Sequence, residues 1–314
     1  MTLIKNLILK EKFSGYYLIK SAELRQTRAG KDFLALTFQD KSGTISGNLW
    51  DANERAAEQF KSGKVVYMTG EKELYNNMPQ VNKISLRLAK SDEPSNLANY
   101  LEKAPVRSDE MREYVQEIVF KIENATLNRI VRHILKKFDQ EFYEFPAAKT
   151  NHHAFVGGLA FHTTTMLQLA EKICDIYPDL NKSLVLAGTL LHDMAKCLEF
   201  TGAENTNYTL KGNLLGHIVL IDEEVIKAVE ELKIDENKEE VILLRHCLLS
   251  HHGELEYGSP VRPQIAEAEM IHQIDNMDAT MMMMSSAVKN LEAGQSSPRI
   301  FPLGNRNIYK PKSE

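Results

Sequence analysis

The chain has 314 residues, too many for one small core, so about two domains are expected. Apolar residues make up 43% and charged residues 26%, the balance of an ordinary globular protein, and no run of 18 apolar residues exists to cross a membrane. The net charge of −5 hides a polarity: residues 1–90 hold 15 basic and 9 acidic residues (+6), the remainder 23 and 34 (−11).

Met1 to Lys12 alternates charges with aliphatics and offers no small-residue cleavage site, which argues against a signal peptide and for a cytoplasmic protein. The cysteines, Cys174, Cys197 and Cys247, lack paired spacing and read as reduced, packed thiols.

Five strands are expected first: Tyr16–Ser21, Phe33–Gln39, Thr44–Trp50, Val65–Gly70 and Lys83–Ala89. Turn signals at 29–31, 40–43 and 76–79 separate them. Between the third and fourth strands, Asp51–Phe60 reads as a helix with Asp51 as its cap. Three strands, a helix and two strands is the order of an OB-fold barrel, expected over residues 1–92. Such barrels hold single strands by stacking bases on aromatics and following phosphates with cations. Phe33, Trp50 and Tyr75 are the aromatic candidates, and Arg25, Arg28, Lys31, Lys72 and Lys83 the basic ones.

Residues 93–119, with Pro94 and Pro105, read as a linker and first helix. From there to about Leu291 apolar residues recur at helical spacing, as in Ile130, Val131, Ile134 and Leu135, so 120–291 is expected to be an all-α bundle. Residues 292–314, ending in Lys310-Pro311-Lys312-Ser313-Glu314, read as an irregular tail.

Chemistry is concentrated in that bundle, where all ten histidines lie. The segment VLAGTLLHDMAK is an apolar helix ending in His192-Asp193. A carboxylate amid Leu190, Leu191 and Met194 is costly to bury unless it pairs or coordinates a cation. His162 in GGLAFHTTTM, His217 in NLLGHIVL, His251 and His252 in CLLSHHGE, and Asp275 in MIHQIDNMDA repeat the pattern of a polar group inside an apolar helical stripe. Imidazole and carboxylate together suit first-row divalent ions, with manganese placed first and Fe, Co, Ni or Zn as alternatives.

The order H…HD…H…HH…D resembles that of HD-domain phosphohydrolases. The stretches HHAFVGGLAFHT, LLHDMAK, LLGH and LSHHG more closely resemble YhaM-type 3′–5′ exoribonucleases, which join an OB-fold to an HD domain. The resemblance implies a hydrolase that cuts single-stranded RNA, and possibly DNA, to nucleoside monophosphates. It implies one ion on His162, His192, Asp193 and Asp275 and a second on His217, His251 and His252, with Asp193 shared. Asp278, one turn on, competes with Asp275 for the last position, and His252 is either a ligand or an orienting neighbour. Lys196 is implied to contact the phosphate or the metal-bound water beside the catalytic Asp193, and His152 and His153 to touch substrate or cap a helix. A Gly-Tyr-Pro signature marks cyclic-dinucleotide phosphodiesterases of the superfamily; here Gly258-Ser259-Pro260 stands instead. The rival readings are an HD hydrolase of small nucleotides or cyclic dinucleotides, for which a basic strand-binding barrel has little use, and a non-catalytic RNA-binding protein. A homo-oligomer is compatible with the exoribonuclease reading.

Overall fold

The computed structural model describes residues 2–75, 78–149, 153–203, 206–289 and 291–312. The chain divides into two compact units, Met1–Lys103 and Ala104–Glu314.

The first unit is a closed five-stranded barrel. Its strands are β1 (Lys12–Gln26), β2 (Asp32–Asp40), β3 (Gly43–Trp50), β4 (Val65–Tyr75) and β5 (Met78–Leu88), with α1 (Glu54–Gln59) between β3 and β4. Neighbours run β1-β2-β3-β5-β4, and β4 pairs back onto β1. Period-two alternation places Leu34, Leu36, Phe38, Val66 and Met68 inside. Closure needs glycine where strands meet closely. A Cβ on Gly47 would lie 2.8 Å from the Val81 carbonyl, and one on Gly70 2.4 Å from the Val81 side chain. The strands outrun the apolar windows expected from sequence because β1 keeps its ladder to β2 out to Gln26↔Asp32, beyond the core. The helix cap is Asn53, whose side chain accepts from the Ala56 amide at 3.0 Å, while Asp51 has φ 54 in the preceding turn.

The segment expected as a linker is divided between the units. Residues 93–103 stay with the barrel: Tyr100 is fully buried, its hydroxyl donates to the Pro94 carbonyl, and Glu93 takes both terminal nitrogens of Arg87.

The second unit is helical. Its elements are α2 (Ser108–Lys121), α3 (Ala125–Lys137), α4 (Asp139–Glu144), α5 (Gly158–Ile176), α6 (Lys182–Leu191), α7 (Lys196–Glu199), α8 (Leu210–Glu231), α9 (Glu239–Ser250) and α10 (Ala266–Val288). Helix α6 is buried along its length from Leu184 to Leu191 and forms the axis of the unit. Gly188 makes that possible: a Cβ there would fall 2.5 Å from Ile271 on α10 and 3.3 Å from Cys247 on α9. The three cysteines are free and buried. The tail is not irregular throughout, because Gly294, Ser297 and Ile300 donate to Lys310, Ile308 and Arg306 in a short backbone ladder over a buried Leu303. Among the described residues no helix is long and apolar enough to cross a membrane.

Candidate metal centre

The His-Asp pair lies where α6 ends. The His192 ring donates from Nδ1 to the Thr189 carbonyl at 2.8 Å, which leaves Nε2 turned to Asp193 Oδ2, 3.3 Å away. Asp193 divides its two oxygens. Oδ2 faces His192, His162 at 3.7 Å and the Lys196 ammonium at 2.7 Å; Oδ1 faces His217 at 3.4 Å and His251 at 3.9 Å. Burial opposes ionisation of Asp193, but Lys196 and His192 outweigh it and hold the carboxyl well below the ordinary range. The same pairing overcomes burial at Lys196 and keeps its ammonium charged.

Helix α5 supplies His162. It begins after Gly157 at φ 75, and a Cβ on Gly158 would lie 2.0 Å from the His153 carbonyl, so the chain folds tightly over the helix start. His162 Nε2 faces Asp275 Oδ1 at 3.2 Å, and its Nδ1 donates to Asp278 Oδ2 at 2.6 Å. Helix α10 thus sets one carboxylate on the centre side of the ring and the other behind it. Burial disfavours charge on His162, yet the bonds to Asp275 and Asp278 push its pKa up to about 9. It therefore carries a proton that an incoming cation would displace. His153 is buried beside Phe155, Phe161 and His162, with Nε2 3.3 Å from Asp278, so it lies behind His162 and not open to a strand. His152 lies outside the described residues.

The third group is His217 on α8 with His251 and His252 after α9, whose nitrogens lie within 4.8 Å of one another. His251 donates from Nδ1 to the Leu248 carbonyl and His252 to that of Tyr257, both at 2.7 Å. Burial, then the neighbouring His252 and His192, hold His251 far below the usual imidazole value, which keeps it neutral as a ligand must be. His252 is only partly buried, so this group forms the solvent side of the centre.

These atoms fit divalent cations. Asp193 Oδ1, His217 Nε2 and His251 Nε2 are buried and make no hydrogen bond among the described residues. Each such orphan costs about 1–3 kcal/mol. A cation between them would remove that cost, and imidazole with carboxylate is a first-row donor set.

Sequence reasoning missed two residues. Glu199, buried at the end of α7, accepts from His217 Nδ1 at 3.1 Å. His272 donates from Nδ1 to the His251 carbonyl and fills the space left by the missing side chain of Gly253. Gly253 two residues after His251 was the available signal for the second.

The barrel brings some of its candidates together. Phe33 and Trp50 pair in register across β2 and β3 with ring centroids 5.1 Å apart, Trp50 is 54% exposed, and Arg25 is the partner of Phe33 on β1. Arg28 and Lys31 are exposed about the β1–β2 turn. Tyr75, 63% exposed, is the last residue of β4. The other two cations are engaged: Lys72 donates inward to the Leu7 carbonyl at 2.7 Å, and Lys83 pairs with Glu71 at 2.9 Å. Arg25 itself pairs with Glu23 at 2.6 Å, though both stay exposed.

Comparison with known proteins agrees with this architecture. A family model described as "HD domain" matches residues 159–280, which span His162 to Asp278. A helicase model, TraI_2, matches 99–180, a stretch that holds no Gly-x4-Gly-Lys-Ser/Thr phosphate loop. The chain is 43% identical over 301 residues to the 3′-5′ exoribonuclease YhaM of Bacillus velezensis, covering 96% of this chain and 95% of the relative. It is 43% identical over 299 residues to the protein of that name from Listeria innocua, and 42% over 301 residues to that of Bacillus licheniformis, with 95% of each relative covered. The chain belongs to the YhaM exoribonuclease family. Membership covers both units, so the barrel is part of what the YhaM family shares and not an addition peculiar to this chain.

Proposed function

We propose that this protein is a metal-dependent 3′–5′ exoribonuclease that removes nucleoside monophosphates from single-stranded RNA. The observation that carries the reading is Asp193, one buried carboxylate whose two oxygens face two separate histidine groups. The 3′ polarity is that of the relatives. We assign one divalent cation to His162, His192, Asp193 and Asp275, and a second to His217, His251, His252 and the other oxygen of Asp193, with manganese as the first ion to test. Divalent cations, when bound, lower the pKa of water toward neutrality and neutralise charge on phosphate oxygens.

The chain's own groups do the rest. His192, His251 and His252 spend Nδ1 on backbone carbonyls, which fixes each ring with Nε2 toward the centre. Lys196 keeps a charged ammonium 2.7 Å from Asp193, a cation available to a phosphate brought to the centre. On the barrel, Phe33 and Trp50 provide a stacking surface, and Arg25, Arg28 and Lys31 follow the backbone of the strand. DNA as a second substrate, the cytoplasm as location and a homo-oligomeric state belong to the same reading.

The test is to incubate the protein and Mn²⁺ with single-stranded RNA labelled at the 5′ end. A ladder of shortening labelled products, with monophosphates released, is expected, and Asp193→Asn abolishes it. Immediate release of a labelled mononucleotide would show the opposite polarity, and intact RNA with hydrolysis of free nucleotides would favour a small-nucleotide hydrolase.

A further inference from the structure

Glu199 makes an unusual pair of contacts with one residue. Its carboxylate oxygens lie 3.1 and 3.2 Å from His217 Nδ1, and one of them also accepts the His217 backbone N–H at 3.2 Å. A backbone N–H inside a helix is ordinarily taken by the carbonyl four residues earlier, here Asn213. It is available because α8 is broken at Gly216, with φ 74 and ψ 157. A Cβ on Gly216 would meet nothing within 4 Å, so this glycine is needed for its backbone angles and not for space.

A second glycine brings the helix onto Glu199. A Cβ on Gly212 would fall 2.2 Å from the Glu199 carbonyl oxygen. The approach is fixed by Thr209, whose amide donates to Glu199 O at 2.8 Å and whose hydroxyl donates to Leu198 O at 2.7 Å. The contrast with the neighbours is informative. His192, His251 and His252 rest on neutral carbonyls. His217 rests on a buried carboxylate, as His162 rests on Asp278 on the other side of Asp193.

We infer that Glu199 is a positioning residue: with Gly216 it locks the Nδ1–H tautomer of His217 and aims Nε2 at Asp193 Oδ1, so that the solvent-side group holds a cation of its own. A carboxylate behind an imidazole fixes the ring and strengthens it as a donor. The inference rests on reading the centre as cation-binding, and it adds that this half can be emptied by changing residues that touch no cation.

The experiment measures cation binding without RNA. Full-length wild type, Glu199→Ala, Glu199→Gln and Gly216→Ala are titrated with Mn²⁺ by calorimetry, and the His217 ring ¹⁵N shifts are recorded in the metal-free proteins. Two cations per chain are expected for wild type. In Glu199→Ala the second affinity falls about 10- to 100-fold while the first is kept, and the His217 Nδ1 signal moves from its protonated position. Glu199→Gln, whose amide oxygen still accepts from Nδ1, recovers part of the loss and the tautomer. Gly216→Ala keeps the carboxylate but loses its backbone grip and resembles Glu199→Ala; it carries the test if that variant does not fold. A folded Glu199→Ala or Gly216→Ala that binds both cations with wild-type affinity overturns the inference, as does equal weakening of both sites. Wild type that binds no second cation overturns the reading of the centre itself, a separate result.

Discussion

Asp278 holds the Nδ1 of His162 at 2.6 Å, on the face of the ring turned away from Asp193. Asp275, one helical turn earlier, meets the opposite nitrogen. The two carboxylates therefore have separable expectations. Asp275→Ala removes a centre-facing oxygen and should abolish detectable RNA hydrolysis. Asp278→Asn keeps an acceptor for the ring and should cost less than Asp278→Ala, whose cation affinity should fall about 10- to 100-fold. Calorimetry with Mn²⁺ and turnover of labelled RNA check both; a larger loss in Asp278→Ala than in Asp275→Ala would reverse the assignment.

Asp193 neutralises Lys196, so its replacement has two consequences. Asp193→Asn and His192→Ala should each abolish activity, and their double variant should be no worse, because groups of one unit fail together. Asp193→Ala also strands the Lys196 ammonium, whose side chain is 11% exposed, and should cost about 3–5 kcal/mol of stability. His252→Ala, at the rim, should cost the least activity of the histidine changes. Denaturant melts alongside rates separate the effects, and equal small losses at every histidine would contradict a two-cation centre.

On the barrel, Trp50→Ala and Phe33→Ala should each weaken RNA binding by about 1–3 kcal/mol, roughly 5- to 150-fold. Lys72→Ala should leave RNA affinity near wild type and lower stability, since its ammonium is bound to Leu7. A fragment starting at Ala104 should fold, hydrolyse a simple phosphodiester and lose affinity for long RNA together with much of the salt dependence of binding. Undiminished degradation of long RNA by that fragment would remove the barrel from substrate binding.

Glu224 gives an acid-labile contribution away from the centre. It is buried, and burial alone would raise its pKa, but bonds to Lys137 and Lys227 bring it below the ordinary value. With the folded value depressed, its stabilisation is complete above the unfolded pKa of about 4.3 and is lost as pH falls through the lower folded value. Wild type should therefore lose more stability than Glu224→Gln between pH 5 and pH 3, measured by urea midpoints.

Much of this is legible in the sequence alone. The barrel order followed from five strand windows and one helix, and His162, His192, Asp193, His217, His251 and Asp275 stood out as polar groups inside apolar helices. The misses share a cause. Asn and Asp are both favoured helix caps, and only the chain path decides for Asn53 over Asp51. Lys72 and Lys83 looked free because their partners, Leu7 and Glu71, are distant in sequence. Glu199 stands between Leu198 and Phe200 but just before the polar segment 201–207, where a carboxylate looks like any surface one; the trace it left was two glycines four residues apart, Gly212 and Gly216, in the first turns of a helix.

The contact at Gly188 reaches further than packing. Gly188 stands four residues before His192, Ile271 four before Asp275 and Cys247 four before His251. Three elements of the centre are thus gauged one helical turn below it, about 6 Å, by the width of an absent methyl group. On the proposed reading of the centre, ionic radius selectivity is expected to depend on a residue that would not meet the ion. Gly188→Ala should splay the three helices and shift preference toward larger divalent cations, read from the ratio of Ca²⁺ to Mn²⁺ affinity; an unchanged ratio in a folded variant would show that the donors set their own spacing.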